Sequence, residues 1–155
     1  MDADLRFRET SRHTTDDKGR IVLPTRFRDV VEASGQDRIF LSRMEQALVG
    51  YTLQGWRVVE EKIANMPVDS NATRQLKRFF LGASQACECN KQGRVLIPAA
   101  LRDFAGIGSR QEIVLVGMLD HFEIWSRERY DKEYGNYQET IASGGMGKEL
   151  AKLGL

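Results

Sequence analysis

The 155 residues suit one compact domain or two small fused ones, and 41% hydrophobic with 29% charged residues is an ordinary soluble globular composition. A formal net charge of +1 neither demands nor excludes an anionic partner, so local clustering carries that question. No apolar run approaches the roughly 18 residues of a membrane helix, and the start, MDADLRFRET, has no apolar h-region, so neither a spanning helix nor a secretory signal is expected.

In chain order, a strand is expected over about 7–15, running into the turn DDKGR at 16–20. Gly19 supplies a positive φ there without steric cost. The β-branched run RIVL follows, and Pro24 ends it at a position suited to the first turn of a helix. TRFRDVVEAS reads as a short helix stopping near Gly35, and RIFLSR with LVGYTL as a hairpin. LQGWRVVEEKIANM (53–66) sets Trp56, Val59 and Ile63 at helical spacing. After Pro67, Asp69 or Ser70 can cap a helix through TRQLKRFFLGA, with Leu76, Phe79 and Phe80 inward. A second strand is expected over about 81–89, leading into the turn NKQGR at 90–94. RVLI, Pro98, the helix AALRDFAG ending at Gly106, and the hairpin of EIVLVG with FEIWSR come next. From Gly135 the tail, with ASGGMG, lacks a core pattern and reads as a fraying end or a contact arm.

The same grammar is thus written twice. At an offset of 74 residues, Gly19 falls on Gly93, Arg20 on Arg94, Pro24 on Pro98, Arg28 on Arg102 and Asp29 on Asp103. The register continues without a gap through Ile39 and Ile113 to Tyr51 and Trp125. This is the mark of a duplicated supersecondary unit. One unit, with about four short strands and one short helix, is too small to bury a core alone. The two are expected to pack on each other as an intramolecular pseudo-dimer of α+β class, with the intervening helices between them.

The repeated turns carry the chemistry. Residues 5–28 hold seven basic side chains (Arg6, Arg8, Arg12, Lys18, Arg20, Arg26, Arg28) against Glu9, Asp16 and Asp17, a local excess of +4. Asp16 and Arg20 bracket the first turn and can pair across it, with Lys18 at the tip; Lys91 and Arg94 recur in the second. Lysine offers phosphate a point charge, arginine can also read guanine bidentately, and a two-stranded ribbon fits the major groove. A lone basic hairpin is usually only a solvated surface; its recurrence argues for use.

Other chemistries find little support. Cys87 and Cys89, one residue apart, would make a strained disulfide and read as reduced thiols of a cytosolic protein. Cys-x-Cys has no second pair to complete a zinc site, and His13 falls on Cys87 at the repeat offset, a shared strand position. Asp16 and Asp17 point apart and make a poor catalytic dyad. No serine sits in G-x-S-x-G, and SGGMGKE does not follow a strand as a phosphate loop would. No catalytic residue, metal, cofactor or small-molecule substrate is therefore expected.

DDKGRIVLPTRFRD, FFLGASQ, NKQGRVLIPAALRDFAG and EIVLVGMLDHFEIW, in that order, resemble the MraZ family of bacterial transcriptional regulators, over roughly residues 7–130. The resemblance implies two tandem domains of SpoVT/AbrB swapped-hairpin type, at 7–54 and 81–127, joined by a helical connector at 55–80 and followed by a helical or flexible tail at 128–155. It also implies a cytoplasmic, nucleoid-associated protein that forms ring-like homo-oligomers. These would bind short repeated boxes of double-stranded DNA upstream of the division and cell-wall gene cluster. The family's D-x-x-x-R signature transfers to Asp16 and Arg20, with Lys18 and Gly19 in the loop. In the second unit Arg94 matches beside Lys91 and Gly93, but Asn90 replaces the acid. Asn90 can still form an Asx turn but no ion pair, leaving that loop looser or Arg94 freer for phosphate. The expected DNA contacts are Lys18, Arg20, Lys91, Arg94 and Arg8. The alternative is a swapped-hairpin interaction module, scaffold or antitoxin-like, without DNA readout.

Overall fold

Strands this short cannot close a core within one repeat, and the two repeats meet the need by trading partners. A computed structural model describes residues 4–66 and 70–155. The first repeat comprises β1 (Thr10–Thr14), β2 (Arg20–Val22), α1 (Thr25–Ala33), β3 (Arg38–Met44) and β4 (Ala47–Thr52). Then come α2 (Leu53–Ala64) and α3 (Asn71–Leu76), which runs into a π-helical turn, Lys77–Leu81. The second repeat comprises β5 (Gln85–Glu88), β6 (Arg94–Leu96), α4 (Ala99–Ala105), β7 (Glu112–Gly117) and β8 (Phe122–Ser126), and α5 (Arg127–Ala142) and α6 (Gly147–Lys152) follow.

The class is α+β. A six-stranded antiparallel sheet has the order β1-β7-β8-β4-β3-β5, and β2 pairs with β6 in a separate ribbon. The first strand of each repeat therefore lies on the hairpin of the other: β1 on β7, and β5 on β3. The register keeps the repeat offset, because His13 faces Ile113 while Cys87 faces Ile39.

The core is built from repeat mates. Ile21 and Val95, Leu23 and Ile97, Phe27 and Leu101, Ile39 and Ile113, and Leu41 and Leu115 are all buried. Phe7, Phe27 and Phe122 meet with ring centroids 5.1–5.2 Å apart. Gly50 lies against this cluster; a Cβ there would come within 2.3 Å of the Phe122 ring. On the other face of the sheet, α2 turns Trp56 and Ile63 inward, and Phe40 stacks on Trp56 at 5.6 Å.

The Trp56 indole N–H is buried with no acceptor among the described residues. Leaving such a donor dry costs about 1–3 kcal/mol. Trp56→Phe should therefore fall within about 1 kcal/mol of the wild type in urea unfolding, the lost volume offsetting the relieved donor. Trp56→Ala should cost about 3–5 kcal/mol.

One segment differs from the sequence reading. The strand expected from 81 begins at Gln85, because the π-helical turn that carries Phe79 and Phe80 runs on to Leu81. Their carbonyls accept from Arg43 Nε at 2.8 Å and from Ser42 Oγ at 2.5 Å, contacts with β3 that the residue pattern does not advertise. In the tail, α5 continues through Gly135 although none of its residues is buried. Ser126 caps it by accepting from Arg129 N, and Tyr130, Tyr134 and Tyr137 touch one another along one side. Of the two capping candidates for α3, Asp69 lies outside the described residues. Ser70 is the N-cap, its Oγ accepting from Thr73 N at 3.2 Å.

Candidate nucleic-acid interface

The first turn is organised by one carboxylate. Asp16 Oδ1 accepts from the backbone N–H groups of Lys18 and Arg20, both at 2.8 Å, and Oδ2 accepts from Arg20 Nε at 2.5 Å. The backbone N–H of Arg20, and behind it those of Lys18 and the Arg20 side chain, hold the Asp16 carboxyl down to about 2. The Arg20 guanidinium is thereby aimed through Nε, and neither terminal nitrogen has a hydrogen-bond partner among the described residues. Lys18 is exposed at the tip.

The second turn copies the backbone but not the ion pair. Asn90 Oδ1 accepts from Gln92 N at 3.0 Å and Arg94 N at 2.9 Å. Arg94 and Lys91 are exposed, and among the described residues no acidic side chain pairs with either. Asn90 thus keeps the turn without aiming Arg94.

Each turn is clamped by the other repeat. Leu23 N donates to Gly93 O at 2.8 Å, and Ile97 N lies 3.4 Å from Gly19 O. Thr15 N donates to Gln111 O, and Cys89 N to Asp37 O, again mates at the 74-residue offset. Thr15 adds a side-chain bond, Oγ1 donating to Gly108 O at 2.7 Å, where Cys89 has only a thiol. The first turn is therefore the more firmly braced.

Gly19 and Gly93 both have φ +80, and each lies beneath an arginine of the other repeat. A Cβ on Gly19 would come 2.6 Å from an Arg102 terminal nitrogen; one on Gly93 would come 2.1 Å from Arg28 Cδ. Beyond the repeat match, and the place of Arg28 in the basic cluster of residues 5–28, the sequence reading assigns no role to Arg28 or Arg102. That match, together with two glycines at the same offset, was the available signal; the crossing between repeats was not visible.

The ribbon between the turns presents a defined surface. Arg20 faces Leu96, Ile21 faces Val95, and Val22 faces Arg94. Ile21 and Val95 point into the core, so the alternation turns Arg20, Val22, Arg94 and Leu96 outward. Six cations frame it: Lys18, Arg20 and Arg102 at one end, Lys91, Arg94 and Arg28 at the other. Arg8 is not among them, because β1, roughly 17 Å long, separates it from the first turn. Arg26 is paired with Glu9 at 2.5 Å.

The remaining candidates have structural surroundings. Cys87 and Cys89 are free, and burial raises the Cys87 thiol to about 11, far from a thiolate. His13 accepts or donates to Ser11 Oγ at 2.7 Å, and burial lowers its basicity. Among the described residues no group of three or more His, Cys, Asp or Glu could hold a metal ion, and no helix is long and apolar enough to cross a membrane.

Comparison with known proteins meets this geometry. A family model described as "MraZ protein, putative antitoxin-like" matches twice, over residues 6–79 and 79–143. The chain is similar to the protein named transcriptional regulator MraZ of Desulforapulum autotrophicum, with 48% identity over 96% of this chain and 99% of that one. It is likewise similar to those of Desulfosudis oleivorans, at 42% over 96% and 99%, and Caldicellulosiruptor bescii, at 38% over 93% and 96%. Two tandem matches, and relatives aligned nearly end to end, place the chain in the MraZ family.

Proposed function

We propose that this protein is a sequence-specific DNA-binding transcriptional regulator and not an enzyme. It lays the β2/β6 ribbon into the major groove of promoter DNA. The carrying observation is that ribbon: two short antiparallel strands with arginine at both ends, flanked by glycine turns and framed by six cations. A pair of strands roughly 5 Å apart enters a groove about 12 Å wide. The naming of the relatives as transcriptional regulators supports the same reading.

In this reading residues 7–54 and 81–127 are two swapped-hairpin modules, their exchanged first strands being what the swap consists of. Arg20 and Arg94 contact bases, while Lys18, Lys91, Arg28 and Arg102 contact phosphate; Arg8 reaches flanking backbone. The protein acts in the cytoplasm on the nucleoid, as a homo-oligomeric ring on repeated boxes upstream of the division and cell-wall gene cluster. The competing reading, an antitoxin-like interaction module, draws on the exposed Val22 and Leu96 and predicts no binding to duplex DNA.

A footprint over the region upstream of the chain's own coding sequence, repeated in rising salt, separates them. The phosphate contacts assigned to Lys18, Lys91, Arg28, Arg102 and Arg8 predict a slope of about −4 to −5 in log affinity against log salt for one ribbon. No protected boxes, or binding indifferent to salt, would overturn the proposal.

A further inference from the structure

The outward face of the cationic ribbon is not wholly cationic. Val22 is 47% exposed and Leu96 53%, and the two are repeat mates. Scattered aliphatic side chains on a surface are ordinary. These are not scattered: each stands directly across the ribbon from an arginine, Leu96 from Arg20 and Val22 from Arg94. Each end of the ribbon therefore carries one arginine and one aliphatic side chain as neighbours. The ion pair with Asp16 and the clamp of each turn by the other repeat keep this arrangement in place before any ligand arrives.

We propose that Val22 and Leu96 read thymine, by packing on its C5-methyl group in the major groove. This rests on the DNA-binding reading above and adds to it a chemical basis for sequence choice. The major-groove edge of thymine is the one natural base edge that carries an apolar group. Directly opposed side chains sit about 4.5–5.5 Å apart, and successive bases are about 3.4 Å apart along a strand. An arginine on guanine thus brings its aliphatic neighbour over an adjacent base. The two ends of the ribbon lie about 7 Å apart, close to two base-pair steps. The preferred element is a guanine next to a thymine, read twice about the pseudo-twofold axis through Ile21 and Val95.

Uracil differs from thymine only by that methyl, so the test uses the upstream duplex amplified with either dTTP or dUTP. Loss of one methyl contact is worth about three- to fourfold in affinity. The wild type should bind the thymine duplex at least about tenfold more tightly. The double variant Val22→Ala, Leu96→Ala should bind both duplexes equally, with its salt slope unchanged. Val22→Thr, which keeps the shape, should lose part of the preference and serves if the double variant does not fold. Single thymine-to-uracil changes should act at only one or two positions per box. A wild type indifferent to uracil, a double variant that keeps the preference, or small losses spread evenly over all thymines would overturn the inference. Salt-dependent, Arg20-dependent binding that ignores the methyl sinks this inference alone; a wild type that binds neither duplex sinks the DNA reading with it.

Discussion

A duplex carrying several boxes is expected to bind this protein about 10²–10⁴-fold more tightly than a duplex carrying one, at the same salt. One ribbon has at most the six cations named above, and much of their attraction is lost as counterions compete. Its own contacts with bases are few, because only Arg20, Val22, Arg94 and Leu96 face outward from three-residue strands. A single encounter is therefore weak. In the proposed ring, the first ribbon to bind holds the others at high local concentration over the neighbouring boxes. The gain appears only when box spacing matches the spacing of the ribbons. Titration of one-box, multi-box and respaced multi-box duplexes at fixed salt measures this. Equal affinity for one box and for several would remove the oligomer from the mechanism.

The second large effect is expected from Arg20→Ala, which should lower affinity for operator DNA at least about 100-fold while leaving the fold and assembly intact. A bidentate arginine contact to guanine is worth about 1–3 kcal/mol per site, and an assembly loses one in every chain. The variant also leaves the Asp16 carboxylate without its guanidinium, facing a polyanion. Because the backbone N–H groups of Lys18 and Arg20 still bond Asp16, the turn itself should survive. Arg94→Ala should cost less, because Arg94 has no carboxylate to aim it before binding and orders its side chain on contact. Gel shift with circular dichroism and size-exclusion controls decides the case. An Arg20→Ala protein that shifts operator DNA normally would remove the residue from the site.

The duplication, the two hairpins and α2 were legible in the residues because each rests on a local pattern. Alternation marks the strands, the spacing of Trp56, Val59 and Ile63 marks the helix, and Gly19 and Gly93 mark turns that need positive φ. The Asx bonds of Asp16 and Asn90 follow from side-chain chemistry within five residues. What escaped depends on neighbours distant in sequence. Nothing near Arg28 or Arg102 announces that each lies over a glycine of the other repeat, although both glycines carry the same offset. The π-helical turn depends on where β3 brings Ser42 and Arg43. The helix of the tail likewise draws on distant neighbours: beyond its Ser126 cap, Tyr130 meets Trp125, Arg129 donates to Phe104 O, and Arg127 pairs with Glu112.

The clamp of each turn by the opposite repeat has a consequence for what a duplicated protein can become. Two identical subunits joined this way would be bound to carry identical tips, and any change would strike both. Linked in a single polypeptide, the tips can drift apart, and here one holds Asp16 and Thr15 where the other holds Asn90 and Cys89. A reader with unlike ends has a front and a back. Under the proposed function it could follow the direction of an asymmetric word along a promoter, as a strictly palindromic reader could not.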